Sequence, residues 1–360
     1  MVKMMLSDIH KILVIKLRAI GDVVMSTVVL DNLREAFPKA RIDFLTEFES
    51  KDILLGNPVL NQVIVFDRRK AERLPAFKRS GETRRLLSTV RNQRYDLVFD
   101  FFGNPRSAWL TWISGARYRV GYNYRLRRRA YNVVVPSRAD SIHEVDWHLD
   151  ALQAVDVPVV ARNLNVYVGQ GSRNFADSFW QKEGLDNRHV IAINFSGGWA
   201  TKRWPLAQFA HLIDLLNYTY NAQLLIIWGP EDKESALLLQ QMATTPALLI
   251  PETNLTQLAA MLAKVDIVVT TDSGPMHIAA AMGKPCVAIF GPTNPKMQGP
   301  YGKGHEIITK NELACLGCNR LDCSHVSCMA SLTVKEVNAA VEACIQKNNI
   351  FAAKGVGSSH

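Results

Sequence analysis

Short apolar runs recur along the whole chain, and between them apolar residues return every three or four positions. That alternation predicts parallel strands connected by helices, an α/β fold. In the first half the runs place strands at 11–17, 41–45, 62–66, 95–101 and 117–121. Helical spacing fits 22–37, 82–94 and 142–155, the last opened by a Ser141-Ile142-His143-Glu144 capping box. In the second half strands are expected at 189–195, 223–228, 247–250, 266–270 and 285–290, with a final helix starting at the box Thr333-Val334-Lys335-Glu336. The stretch from Asp156 to Asn163 reads as a linker. It divides the chain into domains 1–163 and 164–345, followed by a tail, 346–360. There is no solenoid-length repeat.

The densest chemistry lies between Asp266 and Gly302. An apolar strand runs into Thr271-Asp272-Ser273-Gly274-Pro275-Met276-His277, a small-residue helix follows and stops at Gly283, and a second strand opens into Gly291-Pro292-Thr293-Asn294-Pro295. Pro275 suits a first helical turn because it has no N–H to leave unpaired there. Gly274 lets a ligand come close to the backbone. The free N–H groups and positive dipole end of such a helix favour a phosphate.

Length and composition set the frame. A chain of 360 residues, nearly half of it apolar, suits two well-packed domains. No apolar run is long enough for a membrane helix. Met1–His10 has neither an apolar h-region nor a small-residue cleavage site, so a cytoplasmic location is expected. The net charge of +9 is unevenly placed. Residues 1–168 hold 27 Lys and Arg against 18 Asp and Glu, and residues 169–360 hold 15 of each. Arg68, Arg69, Lys70, Arg73, Lys78, Arg79, Arg84 and Arg85 form one basic cluster, and Arg125, Arg127, Arg128 and Arg129 form another. A solvated surface is one reading. The other is an anionic partner, either nucleic acid or a phosphorylated lipid at a membrane face. No nucleic-acid-reading motif accompanies the charge, which favours the lipid.

Three isolated positions stand where ligands bind in such folds. Asp22 follows Gly21 at the carboxyl end of the first strand, where a carboxylate meets ligand, although Asp is also a favoured helix N-cap. Lys202 follows Ser196-Gly197-Gly198, and a glycine-rich loop with one Lys suits a phosphate, although an exposed loop Lys has the same look. Glu231, after Trp228-Gly229-Pro230, stands where a carboxylate accepts ribose hydroxyls, and equally where a helix begins. No Asp-x-Asp pair occurs, nor a Gly-x-Gly-x-x-Gly after the first strand, which argues against a dehydrogenase. Cys315, Cys318, Cys323 and Cys328 include one pair with metal-ligand spacing and one without, so structural zinc and reduced thiols both stay open.

Asp-Ser-Gly-Pro-Met-His followed by Phe-Gly-Pro-Thr-Asn-Pro resembles the signature of glycosyltransferase family 9, the ADP-heptose:lipopolysaccharide heptosyltransferases. Lys16-Leu17-Arg18-Ala19-Ile20-Gly21-Asp22 resembles that family's first strand and turn, and Thr201-Lys202-Arg203-Trp204-Pro205 its phosphate-contacting loop. The resemblance runs from about Lys11 to about Ile345. It implies a GT-B fold, two Rossmann-like domains with parallel sheets facing a central cleft, with the final helix returning to the first domain. It implies Asp22 as general base of an inverting transfer. It implies donor contacts from Lys202, Glu231, Asp272, Ser273, Gly274, Pro275, Met276, His277 and Ser196. Arg68, Arg69, Arg125 and Arg128 are then candidates for an anionic lipopolysaccharide acceptor. The expected donor is ADP-heptose, with no cofactor, no metal and no nucleic acid, at the cytoplasmic face of the inner membrane. Lacking Asp-x-Asp, the chain would neutralise the leaving diphosphate with Lys202 and the helix at Pro275. The rivals are another nucleotide sugar or acceptor, a nucleic-acid-binding protein with a Cys module, and a silent sugar-nucleotide binder.

Overall fold

The computed structural model describes residues 8–73, 75–136, 138 and 141–351, without the side chains of residues 76–80 and 125. Its contacts divide the chain into two units, Met1–Tyr167 and Val168–His360. Each unit is built on a six-stranded, all-parallel sheet. The first sheet comprises β1 (Lys11–Ile15), β2 (Arg41–Glu47), β3 (Gln62–Phe66), β4 (Leu97–Asp100), β5 (Tyr118–Tyr122) and β6 (Val133–Val135). They lie in the order β3-β2-β1-β4-β5-β6. The second comprises β7 (Val190–Asn194), β8 (Gln223–Ile227), β9 (Ala247–Leu249), β10 (Ile267–Thr271), β11 (Cys286–Ile289) and β12 (Glu306–Ile308), in the order β12-β11-β10-β7-β8-β9.

Counted from its own first strand, each sheet has the order 3-2-1-4-5-6 of the doubly wound fold. The central strands are continuous apolar runs because helices cover both faces of a parallel sheet. Every residue of β4, β7, β8, β10 and β11 is buried. The switch points, where crossovers change direction, fall between β1 and β4 and between β7 and β10. Ligands of such sheets bind there, beyond the carboxyl ends of the strands.

Three local differences from the sequence reading have physical causes. The helix expected over 22–37 is two, Ile20–Ser26 and Val29–Ala36. At the break, Ser26 and Thr27 turn their hydroxyls back to the carbonyls of Val23 and Val24 at 2.8 and 2.6 Å, which competes with the helical ladder. The box expected at Ser141 does not form. His143 is the N-cap of helix Glu144–Gln153, accepting the Val145 N–H through Nδ1, and Glu144 is drawn away by a lysine described below. Strands β6 and β12, at the sheet edges, are not among the expected strands; each is only three residues long and, unlike the equally short β9, is not bounded by proline on both sides. The final helix, Val334–Lys347, does form its box at Thr333 and Glu336. Its buried face of Val337, Val341, Cys344 and Ile345 packs in the core of the second unit.

Candidate functional site

At the switch point of the second sheet, polar residues replace apolar ones at the strand ends. Asn194, the last residue of β7, is fully buried. Its amide donates to the Thr270 hydroxyl at 2.8 Å and the Ser273 hydroxyl at 2.7 Å, and its oxygen accepts from Ser196 at 3.1 Å. Thr271 donates to the Ser196 carbonyl at 2.6 Å. These bonds clamp the loop after β7 to the turn after β10.

The next helix, Gly274–Ala281, carries Pro275 in its first turn and has Ser273 as N-cap. Ser273 makes no side-chain cap, because its hydroxyl accepts from Asn194 and donates to the Thr271 carbonyl. Pro275 has no N–H and the Met276 N–H donates to the Ser273 carbonyl at 3.2 Å, so the Gly274 N–H is the first-turn donor left facing the loop. Met276 and His277 are buried behind them.

Lys202 lies in a short 3-10 turn, Ala200–Lys202, ahead of helix Leu206–Tyr220. Its ammonium sits 2.6 Å from Asp272 and 4.2 Å above the Trp199 ring. Thr293 donates to the same Asp272 oxygen at 2.6 Å. The loop packs closely because residue 197 is glycine: a Cβ there would stand 3.1 Å from Cβ of Lys202. Asp272 thus holds the Lys202 ammonium in place at the switch point. Glu231 is exposed in the turn after β8. That turn joins the loop after β7 through Arg203, which pairs with Asp232 at 3.1 Å and donates to the Gly197 carbonyl at 3.3 Å. Lys202, Asp272, Ser273 and Ser196 are brought together with the Gly274–His277 turn, and Glu231 stands at the neighbouring strand end. Trp204 is core, edge-on to Phe209.

The first unit has a matching polar switch point. Asp22 is the third residue of helix Ile20–Ser26, and its carboxylate accepts the Ala19 N–H at 3.1 Å. Lys16, just past β1, is buried and reaches across to β4. Its ammonium donates to the Phe101 carbonyl at 3.2 Å and to Glu144 at 2.6 Å, with Asp22 at 3.9 Å. Burial works against the Lys16 charge, but Glu144 and Asp22 override it and hold the ammonium above its ordinary pKa. Burial likewise opposes the Glu144 carboxylate, and Lys16 and His148 override that and hold Glu144 well below the usual carboxylate range.

His148, one turn along that helix, faces Glu144 at 3.5 Å through Nε2 and Tyr122 at 2.8 Å through Nδ1. A carboxylate opposite Nε2 favours a hydrogen there, so Nδ1 accepts from the tyrosine hydroxyl. Burial pushes the His148 pKa down to about 4, with Glu144 resisting and Lys16 and His143 adding to the fall. Asp100, at the end of β4, is also buried. Its oxygens accept from the N–H groups of Phe102 and Gly103 and from the Tyr131 hydroxyl at 2.7 Å. A Cβ at residue 121 would lie 2.5 Å from the Tyr131 ring, so glycine there makes room for it.

The basic clusters differ from one another. Arg68 pairs with Glu47 at 3.2 Å and Glu72 at 2.8 Å, and Arg69 pairs with Glu49 at 2.8 Å. Arg128 is exposed and makes no ion pair among the described residues. The side chains of Arg125, Lys78 and Arg79 lie outside those described. Cys315 and Cys318 are exposed, Cys323 is half-buried and Cys328 is buried. Among the described residues no three His, Cys, Asp or Glu side chains are grouped to hold a metal ion.

Sequence reading missed Asn194, Thr271 and Thr293, whose roles come from strand ends meeting in space. It also missed the Lys16–Glu144–His148 chain. One signal was available: Lys16 is a charge set directly after the apolar run of β1.

A sequence model of glycosyltransferase family 9 (heptosyltransferase) matches residues 83–327. Lipopolysaccharide heptosyltransferase 1 of Pseudomonas aeruginosa is 28% identical over 328 residues, 88% of each chain. Lipopolysaccharide heptosyltransferase 2 of Escherichia coli is 26% identical over 316 residues, 83% of this chain and 87% of that one. Among solved structures, a family 9 glycosyl transferase from Veillonella parvula superposes with a TM-score of 0.79 at 24% identity, covering 95% of this chain and 99% of that one. An E. coli heptosyltransferase solved with ADP superposes with a TM-score of 0.70 at 23% identity, covering 93% and 99%.

Proposed function

The chain belongs to glycosyltransferase family 9, and from that premise we propose that it transfers heptose from ADP-heptose to the inner core of lipopolysaccharide, with inversion. It is a glycosyltransferase by that membership. The donor and acceptor are inferred from the names its relatives carry, lipopolysaccharide heptosyltransferases of several bacteria. The observation that carries the donor reading is the uncapped first turn at Gly274 with the Lys202–Asp272 pair beside it, both at the second sheet's switch point.

In this reading the Gly274 N–H, the positive end of its helix and Lys202 take the diphosphate. Their positive charge meets the negative charge that grows on the leaving ADP. Glu231 accepts the ribose hydroxyls. Ser196, in a loop clamped by Asn194 and Thr271, lines the phosphate side. Asp272 positions Lys202 and is itself neutralised by it. Asp22 takes the proton of the acceptor hydroxyl as that oxygen attacks the anomeric carbon. Glu144 supports this by holding Lys16 at 2.6 Å, so that the ammonium stays 3.9 Å from Asp22 and does not close on the base. The charge supplied by Lys202 and the helix, in a chain without Asp-x-Asp, supports a transfer that needs no metal. Arg68, Arg69, Arg125 and Arg128 steer or contact the phosphorylated acceptor. The enzyme works at the cytoplasmic face of the inner membrane, where a lipid-linked acceptor is found. Among the described residues no helix is long and apolar enough to cross a membrane.

A thermal-shift panel of ADP-, UDP-, GDP- and CMP-sugars tests the donor. Only the ADP sugar is expected to raise the melting temperature, since binding the folded state stabilises it. Preference for another nucleotide would leave the family standing and overturn the donor.

A further inference from the structure

Helix Pro105–Ile113 is turned inside out. Its buried positions are Ser107, Ala108, Leu110 and Thr111, three of them small or polar. Its two largest apolar side chains, Trp109 and Trp112, are 46% and 59% exposed. At a spacing of three they share one face of the helix. The 3-10 turn Arg125–Ala130 packs beside that face and presents Leu126, 75% exposed. Together they line a shallow hollow of about 280 Å³ with Arg127 and Arg129. Leaving three large apolar side chains in water is costly, and folding gains nothing from it.

The charge around the hollow is of one sign. From Phe101 to Ala139 the sequence holds eight arginines and not one Asp or Glu. Arg128 and Arg129 are exposed, Arg127 lies over the Tyr124 ring at 5.1 Å, and none of the three makes an ion pair among the described residues. Indoles seat at the boundary between headgroups and acyl chains. Arginines reach from there to phosphates while their stems stay in the apolar layer. We propose that Trp109, Trp112 and Leu126, ringed by Arg127, Arg128 and Arg129, dock this protein on an anionic phospholipid bilayer. The proposal deepens the lipid-linked acceptor reading above and names the surface that meets the membrane. Docking needs no chemistry, so its failure is separable from failure of the transferase reading.

The test is co-sedimentation of the full chain with vesicles of phosphatidylglycerol and phosphatidylcholine in equal parts, and with phosphatidylcholine alone. Wild type should bind the anionic vesicles and release as salt rises, because the arginine contribution is screened. Each arginine near an anionic surface adds roughly fivefold to the affinity, so Arg127→Ser/Arg129→Ser should bind roughly 25-fold more weakly. Trp109→Ser/Trp112→Ser should lose about a hundredfold, at about tenfold for each indole withdrawn from the interface. That double variant should keep the wild-type melting temperature and its transfer rate toward a water-soluble acceptor fragment. The proposal is overturned if wild type ignores anionic vesicles, if it binds phosphatidylcholine as well as the mixture, or if the tryptophan variant binds like wild type. If the tryptophan variant instead splits a self-associating protein while vesicle binding is unchanged, the surface joins two copies of the chain and the membrane reading falls.

Discussion

Replacing His148 with Gln should remove a specific part of the protein's acid sensitivity. In the folded chain His148 is enclosed by Phe101, Tyr122 and Glu144 and titrates at about 4. Unfolded, it returns to its ordinary value of 6.5. The folded pKa is depressed, so its contribution is fully present above the unfolded pKa and is lost as pH falls toward the folded one. The window is therefore between 6.5 and about 4. Over that range the unfolded chain binds a proton that the native chain refuses. Going from about pH 7 to pH 5, linkage gives a loss of about 2 kcal/mol. For a unit of this size that corresponds to roughly 4–8 °C in Tm.

Glu144 does not interfere in that range, because the Lys16 ammonium, present in both proteins, favours its ionised form and its pKa lies well below the usual carboxylate range. In the His148→Gln variant the new amide still offers a partner to the Tyr122 hydroxyl. The variant loses the ring contact to Phe101, at 4.5 Å between centroids, so it is less stable at every pH. The informative quantity is the difference in slope. Urea unfolding of wild type and His148→Gln, each at pH 7 and pH 5, gives it directly, and other titrating groups cancel in the comparison. A variant that loses as much stability on acidification as wild type would refute the reasoning.

Lys202→Ala should weaken ADP binding by roughly tenfold to a hundredfold, the loss of one charge-assisted contact of about 1.5–3 kcal/mol. It should also leave Asp272 without its buried counter-ion, so the melting temperature falls as well. Unchanged ADP affinity by calorimetry would remove Lys202 from the donor site. Reversing Arg68 and Arg69 to Glu should raise the acceptor KM and shift its salt dependence while sparing ADP-heptose affinity. Both arginines already pair with carboxylates, so this also tests whether those pairs yield to the acceptor; a change in donor affinity alone would refute the division of labour.

Much of the frame was legible in the sequence because parallel sheets write their central strands as unbroken apolar runs. Strands β1 to β5 and β7 to β11 were readable on that ground. Strands β6 and β12, three residues each, were not, whereas β9 is as short but its run Ala247–Ile250 is marked off by Pro246 and Pro251. The turn from Asp272 to His277 was legible because glycine, proline and a hydroxyl stand together at a strand end, where backbone chemistry is local. The clamp of Asn194 on Thr270 and Ser273 was not, because it joins residues 76 and 79 positions apart in the chain. Glu144 shows the same limit from the other side. Its spacing from Ser141 reads as a local cap, yet the carboxylate goes to Lys16, 128 residues away, since a buried ammonium competes more strongly for it than a solvated backbone N–H. The exposure of Trp109 and Trp112 was hidden for a similar reason: helical spacing tells which residues share a face and not which face meets the core.

The central claim is that Asp22 deprotonates an acceptor on which this chain places heptose from ADP-heptose. Mass spectrometry of heptose-free lipopolysaccharide, incubated with ADP-heptose and either wild type or Asp22→Asn, tests it most directly. Wild type should add one heptose. Asp22→Asn should slow transfer by roughly a hundredfold to ten-thousandfold, the range for loss of a general base, with ADP binding kept. Transfer by Asp22→Asn within a few-fold of wild type, or no heptose added by wild type, would contradict the account.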